Sequence, residues 1–260
     1  MFHMDRPRVD YNQLAPTYHS RYDGPNKLDG IAQALRSFDA RCALEVGCGT
    51  GRFLVPLRET GEQVFGIDAS TGMLSQAAAR LGPSNLVAGR ANQLPFAPES
   101  FDLICCVNAI HHFDDPRQFI LDAAPLLKRG GSMAIVGMDP RTIRRRYYYD
   151  YFEGARELDM RRYPSFGQLL DWAVEAQLDD VELKIVEKPS VTFGGAAVLE
   201  DPFLKKPSNS LLALLSDEVY KEGLRRIEAA AANGIEFATE IPFGMVTARR
   251  SPISSSKGKM

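Results

Sequence analysis

The chain has little excess charge, few cysteines and no long apolar run. Its 31 basic side chains face 33 acidic ones, for a net charge of −2. That balance gives no footprint for a polyanionic partner, although charge can still cluster locally. No stretch approaches the roughly 20 apolar residues that a helix needs to span a bilayer. Residues 1–7 carry no apolar core of the kind a signal peptide has. The four cysteines, Cys42, Cys48, Cys105 and Cys106, form no metal-ligand spacing, so no metal site is expected. Cys105 and Cys106 would fall on opposite faces of a strand. All four read as buried free thiols, which suits a reducing, cytoplasmic setting.

What is present is ordinary for a globular chain, 45% apolar and 25% charged over 260 residues. The exception is residues 42–51, CALEVGCGTG. An apolar run ends in an acid, then glycine occupies every second position, and a helical pattern starts at Arg52. Strand, glycine loop and helix in that order make a backbone cradle. Glycine serves where φ is positive or where a side chain would hold a ligand off the backbone. The N–H groups of the next helix favour an anionic group.

Residues 10–22 are polar and aromatic, either a cover over a site or a surface arm. Leu28, Ile31, Ala32 and Leu35 predict a helix over 26–37. The helix from Arg52 is expected to stop at Gly61 as a C′ glycine. Val64–Asp68 reads as a second strand. Ser70 caps a helix that runs to about Leu81. Leu86–Gly89 and Phe101–Val107 are further strands. Asp115 and Pro116 open a helix expected to reach Lys128, ended by Gly130 and Gly131. Met133–Gly137 is the fifth strand. Strands alternating with helices predict a parallel sheet covered on both faces, with right-handed crossovers.

Residues 139–163 differ in character. Arg144, Arg145 and Arg146 precede Tyr147–Phe152, which is a solvated face, a substrate lid or a contact for single-stranded nucleic acid. The near-neutral charge weighs against the last. Phe166–Ala176 reads as a helix. Val181–Glu187 alternates as a half-buried strand does. Residues 196–234 are helical in pattern, Ile241–Ala248 is a last strand, and 251–260 is expected to be a flexible tail.

The glycine spacing narrows the ligand. A dinucleotide fingerprint is G-x-G-x-x-G, and its third glycine would fall at Arg52. Asp68, 21 residues after Gly47, still stands where a ribose-binding acid is expected. A phosphate-binding P-loop is excluded, because no Lys-Ser or Lys-Thr follows the glycines.

Glu45-Val46-Gly47-Cys48-Gly49-Thr50-Gly51 resembles the first motif of the class I S-adenosylmethionine-dependent methyltransferases. Gly66-Ile67-Asp68 resembles their second motif. Gly89–Phe96 is similar to the third, and Phe101–Ile104 through Ile110–Phe113 to the fourth. Tyr11–Tyr18 is close to the N-terminal segment of the ubiquinone/menaquinone-type (methyltransferase 11-like) branch. The resemblance covers residues 10–138 well and the remainder loosely.

The resemblance implies an α/β, doubly wound, Rossmann-like sheet of seven mostly parallel strands with helical additions. It implies a single methyltransferase domain over 1–250. Within it, 10–40 would be an N-terminal helical cover, 42–138 the cofactor core, and 139–163 with 196–234 the acceptor side. S-adenosylmethionine is the implied cofactor. Asp68, with Ala69 beside it, would accept from both ribose hydroxyls. Gly47, Cys48, Gly49 and Gly51 would face the methionine end, with Glu45 holding the ammonium indirectly. Asn108 would lie near the methionine end, and Tyr11 and Tyr18 would close over it. Many relatives carry an acid where this chain has Arg90, which has donors only. Adenine would then be read at Ala91 and Asn92, or Arg90 points away.

His111 and His112 follow the fourth strand, so either is a candidate general base. The acceptor is expected to be a small molecule, and the Tyr147–Phe152 cluster suits an aromatic or apolar one. Asn108-Ala109-Ile110-His111 does not support a base- or amide-nitrogen acceptor. A nicotinamide-dependent oxidoreductase and a cofactor-binding relative without catalysis are the alternatives.

Overall fold

Ile31 and Leu35 lie one turn apart and are both buried, which makes Asp29–Arg36 (α1) an amphipathic helix. The computed structural model describes residues 11–12, 28–83 and 85–252. After α1 come β1 (Cys42–Val46), α2 (Leu54–Thr60), β2 (Gln63–Asp68), α3 (Thr71–Leu81) and β3 (Leu86–Ala88). Then follow β4 (Phe101–Val107), α4 (Pro116–Ala123), β5 (Leu127–Met138), β6 (Arg145–Arg146), α5 (Tyr148–Tyr151), α6 (Ala155–Arg162) and α7 (Phe166–Glu175). The chain continues through β7 (Leu178–Glu187), β8 (Ser190–Gly194), α8 (Asp217–Ala232), β9 (Glu236–Glu240) and β10 (Phe243–Arg250).

Seven strands form one sheet in the order β3-β2-β1-β4-β5-β10-β7. β3, β2, β1, β4 and β5 pair in parallel, and β10 runs antiparallel between β5 and β7. Leu44, Val46, Ile104 and Ile135 pack on one face with Phe119 and Phe166. Ala43, Leu103, Cys105 and Val136 pack on the other with Ile31, Leu54 and Leu57. Helices on both faces explain the continuous apolar runs of the central strands. The strand order reverses between β1 and β4. Open α/β sheets bind ligands there, at the carboxyl ends of the strands.

Several expectations change in detail. Gly61 ends α2 with φ −95°, so it is not a left-handed cap. A Cβ there would come within 2.8 Å of the Ala40 carbonyl, so close approach is what requires glycine. The helix expected to reach Lys128 stops at Ala123, where Ala124–Leu126 make a 3₁₀ turn containing Pro125. Gly130 and Gly131 lie inside β5, at an irregular register against β4, with φ +77° at Gly130. The first part of 196–234 is a run of short 3₁₀ turns, and only Asp217–Ala232 is an α-helix. β7 is the sheet edge, so Leu183 and Ile185 are exposed where alternation predicted one buried face.

The sequence reading missed a second sheet, β6-β9-β8, entirely antiparallel. It stands with α5, α6, α8 and the 3₁₀ turns as a cap beyond the end of β5. Tyr147, Tyr148, Phe152, Leu212, Ile227 and Phe237 form its buried core.

Candidate active site

The loop after β1 is shaped by three glycines with different constraints. Gly47, Gly49 and Gly51 all have positive φ, at 75°, 53° and 76°. A Cβ on Gly47 would lie 2.4 Å from the Ala109 Cβ, and one on Gly51 would lie 2.8 Å from Leu81 Cδ1. A Cβ on Gly49 would meet nothing within 4 Å among the described residues. Gly47 N and Cys48 N both donate to the Ile67 carbonyl, at 2.8 and 3.1 Å. Asp68, the last residue of β2, fixes the rest. Its Oδ2 accepts from Gly49 N and its Oδ1 from Ser70 N, each at 2.8 Å. Each oxygen keeps a second acceptor site. Ser70 caps α3 by accepting from Met73 N at 3.1 Å. The Asn12 side-chain oxygen accepts from the Ser70 hydroxyl at 2.8 Å and from Gly72 N at 3.0 Å. The N-terminal segment is thus tied to the loop region at Asn12.

A cavity of about 320 Å³ opens over this loop. Glu45 lines it from β1, Gly47, Cys48 and Gly49 from the loop after β1, Asp68 from the end of β2 with Ala69 just past it, and Ala91 and Asn92 from the loop after β3. Tyr11, Asn108, His111 and His112 complete one side. Gly51 supports the loop from beneath. Tyr18 lies outside the described residues. Arg162 also reaches this cavity from α6, more than 100 residues along the chain, and nothing in its local sequence marks it. Arg90 lines the cavity too, with Nη1 3.7 Å from Oδ2 of Asp114, another lining residue, and its side chain is 60% exposed.

Glu45 is 1% exposed, and its Oε2 has no hydrogen-bond partner. Burial holds its pKa well above the usual carboxylate range, and the Asp68 charge adds to this. Burial also raises Asp68, against the opposing pull of the Ser70 and Gly49 N–H groups. Burial pushes the Cys48 thiol up, and the Glu45 and Asp68 carboxylates add to this.

A second cavity, of about 170 Å³, lies between the main sheet and the cap. The two cavities share Tyr11, Asn108, His111 and His112. Asn108 has φ +54° just past β4, and its N–H donates to the Val136 carbonyl at 2.8 Å. His111 is buried and stacks on Tyr163, with centroids 3.8 Å apart at 15°. His112 Nε2 is 2.5 Å from the Tyr11 hydroxyl.

The Tyr147–Phe152 cluster does not form the acceptor wall expected of it. Of that run, only Tyr148 lines the second cavity. Tyr147 is 2% exposed and donates to Asp201 Oδ2 at 2.6 Å, and Tyr151 packs on Phe237. Tyr147, Tyr148 and Phe152 turn inward instead and become the cap's own core. In the basic run, Arg144 and Arg145 are exposed, while Arg146 is buried against Asp159 at 2.7 Å. Among the described residues, no group of three or more side chains could hold a metal ion, and no helix is long and apolar enough to cross a membrane.

The sequence model of the methyltransferase 11 family, a methyltransferase domain, matches residues 44–135. An uncharacterized methyltransferase of Geobacillus sp. (strain WCH70) is 31% identical over 151 residues, covering 56% of this chain and 70% of that protein. The chain belongs to the methyltransferase 11 family. A ubiquinone biosynthesis O-methyltransferase of Parvibaculum lavamentivorans is 32% identical over 144 residues, covering 54% of this chain and 56% of the relative. Across the curated relatives it matches, the chain spans about half of their length. The fold is shared with the phosphoethanolamine N-methyltransferase 2 of Haemonchus contortus, solved in complex with S-adenosyl-L-methionine. That likeness has a TM-score of 0.59 and 17% identity, over 94% of this chain and 57% of that one. The matched family region holds Glu45, the glycine loop, Asp68, Asn108 and both histidines, and it ends before the cap.

Proposed function

We propose that this methyltransferase-family chain transfers a methyl group from S-adenosylmethionine to a small-molecule acceptor bound in the second cavity. The observation that carries the reading is the pairing of two adjoining cavities at the switch point of the sheet, which share Tyr11, Asn108, His111 and His112 in their walls.

The larger cavity's donor set fits the cofactor. Gly49 leaves open space where any side chain would intrude. Glu45 presents an unpartnered carboxylate oxygen suited to a cation, as the methionine ammonium is. Asp68 has two acceptor sites left for a pair of ribose hydroxyls. Ala91 and Asn92 line the cavity where the adenine edge would lie, and the neighbouring Arg90 offers donors only. Gly47, Cys48, Gly49 and Ala69 shape the walls, Gly51 keeps the loop close to α3, and Tyr11 covers the opening. The bound cofactor supplies an already activated methyl on a sulfonium. The chain's main task is therefore to hold the acceptor in line, since orientation alone supplies a large part of such a barrier. His112, hydrogen-bonded to Tyr11 and facing both cavities, is the group placed to take a proton from the acceptor. His111, stacked on Tyr163, fixes the wall beside it.

Residues 1–250 act as one methyltransferase domain. Residues 42–138 hold the cofactor, and the cap from 139 onward, with the second sheet, encloses the acceptor. The apolar walls of the second cavity, among them Leu28, Met138, Val191 and Phe243, favour an apolar or aromatic acceptor body. The free cysteines support a reducing, cytoplasmic setting, and the mixed surface charge supports no nucleic-acid partner. The test is a methyl-transfer screen with labelled S-adenosylmethionine against metabolite fractions. Label entering a small molecule supports the reading. Tight cofactor binding with no transfer to any fraction would favour a non-catalytic relative.

A further inference from the structure

Two buried arginines of the cap share a single carboxylate. Arg146 Nη1 stands 2.7 Å from Asp159 Oδ2, and Arg162 Nη1 stands 3.2 Å from Asp159 Oδ1. The three side chains are 8%, 3% and 0% exposed, in the order Arg146, Arg162, Asp159. Their other contacts are neutral: Arg146 Nη1 donates to the Tyr149 hydroxyl at 3.0 Å, and Arg162 Nη2 to Ser210 Oγ at 3.2 Å. Asp201, the other buried acid of the cap, accepts from Tyr147, Tyr148 and Phe203 N. Among the described residues it forms no ion pair with either arginine. Among the described residues the cluster therefore keeps one buried positive charge without a counter-ion, a costly arrangement unless something else completes it.

Two further atoms show where that completion belongs. Arg146 Nε and Thr239 Oγ1 are buried and have no hydrogen-bond partner among the described residues. Arg146 and Thr239 stand directly opposite each other on β6 and β9, so their side chains share one face of the small sheet. Both line the second cavity, and no Asp or Glu lines it among the described residues.

We propose that the second cavity recognises a carboxylate on the acceptor. One carboxylate oxygen accepts from Arg146 Nε–H and the other from the Thr239 hydroxyl. A single negative charge matches the single charge left over, whereas a phosphate dianion exceeds it. An arginine–carboxylate contact is among the stronger hydrogen bonds available to a protein. The rest of the acceptor lies on Leu28, Met138, Val191 and Phe243, with the methyl-accepting atom toward Asn108 and His112. That last placement rests on the methyltransferase reading. The substrate class is a small, largely apolar monocarboxylate with a separate nucleophilic atom.

The test titrates benzoate and phenylacetate, and their neutral counterparts benzamide and phenylacetamide, into the full chain by calorimetry. It is run with and without S-adenosylhomocysteine, and S-adenosylmethionine is titrated separately into every variant. The expected result is carboxylate binding at least tenfold tighter than amide binding. Thr239→Val should reduce carboxylate affinity several-fold and leave amide affinity within twofold. Arg146→Gln should remove the preference, and Arg146→Lys should keep part of it. Arg146→Gln also strips Asp159 of a partner and can unfold the cap, so Thr239→Val and the wild-type preference carry the test without it. Equal affinity for acid and amide, or no binding of either, would overturn the proposal. Failure of S-adenosylmethionine to bind while the acid preference persists would sink the methyltransferase reading and leave the anion site standing.

Discussion

Asp68 Oδ2 accepts the Gly49 N–H at 2.8 Å, so the carboxylate that ends β2 also fixes the glycine loop after β1. Its other oxygen holds Ser70 N at the start of α3. One side chain thus positions two backbone segments of the cavity and still offers acceptor sites to a ligand. Asp68→Ala should weaken S-adenosylmethionine binding by about 100-fold or more, since buried charged hydrogen bonds each contribute ~1.5–3 kcal/mol. Asp68→Asn should fall between, because one acceptor oxygen remains. Calorimetric titration checks both.

The glycines should separate by mechanism. Gly47→Ala places a Cβ 2.4 Å from the Ala109 Cβ in a left-handed backbone, so it should cost about 3 kcal/mol or more in urea unfolding. Gly49→Ala meets no atom of the described residues within 4 Å. It should cost only about 1 kcal/mol for its positive φ, yet weaken cofactor binding at least tenfold. If both variants lost stability equally, the open space at Gly49 would not be a ligand cradle.

Glu45 makes a prediction about pH. Burial raises its folded-state pKa above that of the unfolded chain. Between those two values the folded protein holds a proton that the unfolded chain has lost. Stability therefore falls as pH rises through that window, and the penalty is constant above it. Glu45→Gln removes the penalty. The variant without ligand should be more stable than wild type by about 1–3 kcal/mol near pH 8, with the gap closing toward the unfolded carboxylate range. The same variant should bind S-adenosylmethionine more weakly. Urea melts across pH, with and without ligand, check both signs.

The histidines should differ in kind. His112→Asn should lower kcat by about 100-fold if the acceptor must lose a proton, with cofactor affinity within about threefold. Tyr11→Phe removes the hydroxyl bonded to His112 Nε2 and should move the pH profile of kcat. His111→Asn should act mainly through stability, because that ring is buried against Tyr163. Equal loss of kcat in both histidine variants would contradict the division.

Tyr147 tests the correction to the aromatic run. Tyr147→Phe removes one donor from Asp201 and should cost about 1–3 kcal/mol of stability. Acceptor KM should not change, because Tyr147 does not line the second cavity.

Much of this was legible in the residues, for identifiable reasons. The central strands announce themselves as continuous apolar runs, and Ser70 and Asp115 cap their helices as their side chains suggest. Every expected cofactor residue among those described, apart from Gly51, lines one cavity, because motif residues at the ends of adjacent parallel strands converge there. The cap was illegible for equally physical reasons. β6 is two residues long and pairs with β9, more than 90 residues away, so no local period marks it. The tyrosine run reads as a pocket wall only while its partners, Asp201 and Phe237, are unknown. Arg146 reads as part of a solvated charge run until Asp159 is seen beside it.

The most direct measurement is a calorimetric titration of the wild-type chain with S-adenosylmethionine and, separately, with NAD. The expected result is saturable binding of S-adenosylmethionine, its loss in Asp68→Ala, and no binding of NAD. Saturable binding of NAD that Asp68→Ala abolishes, with no response to S-adenosylmethionine, would contradict it.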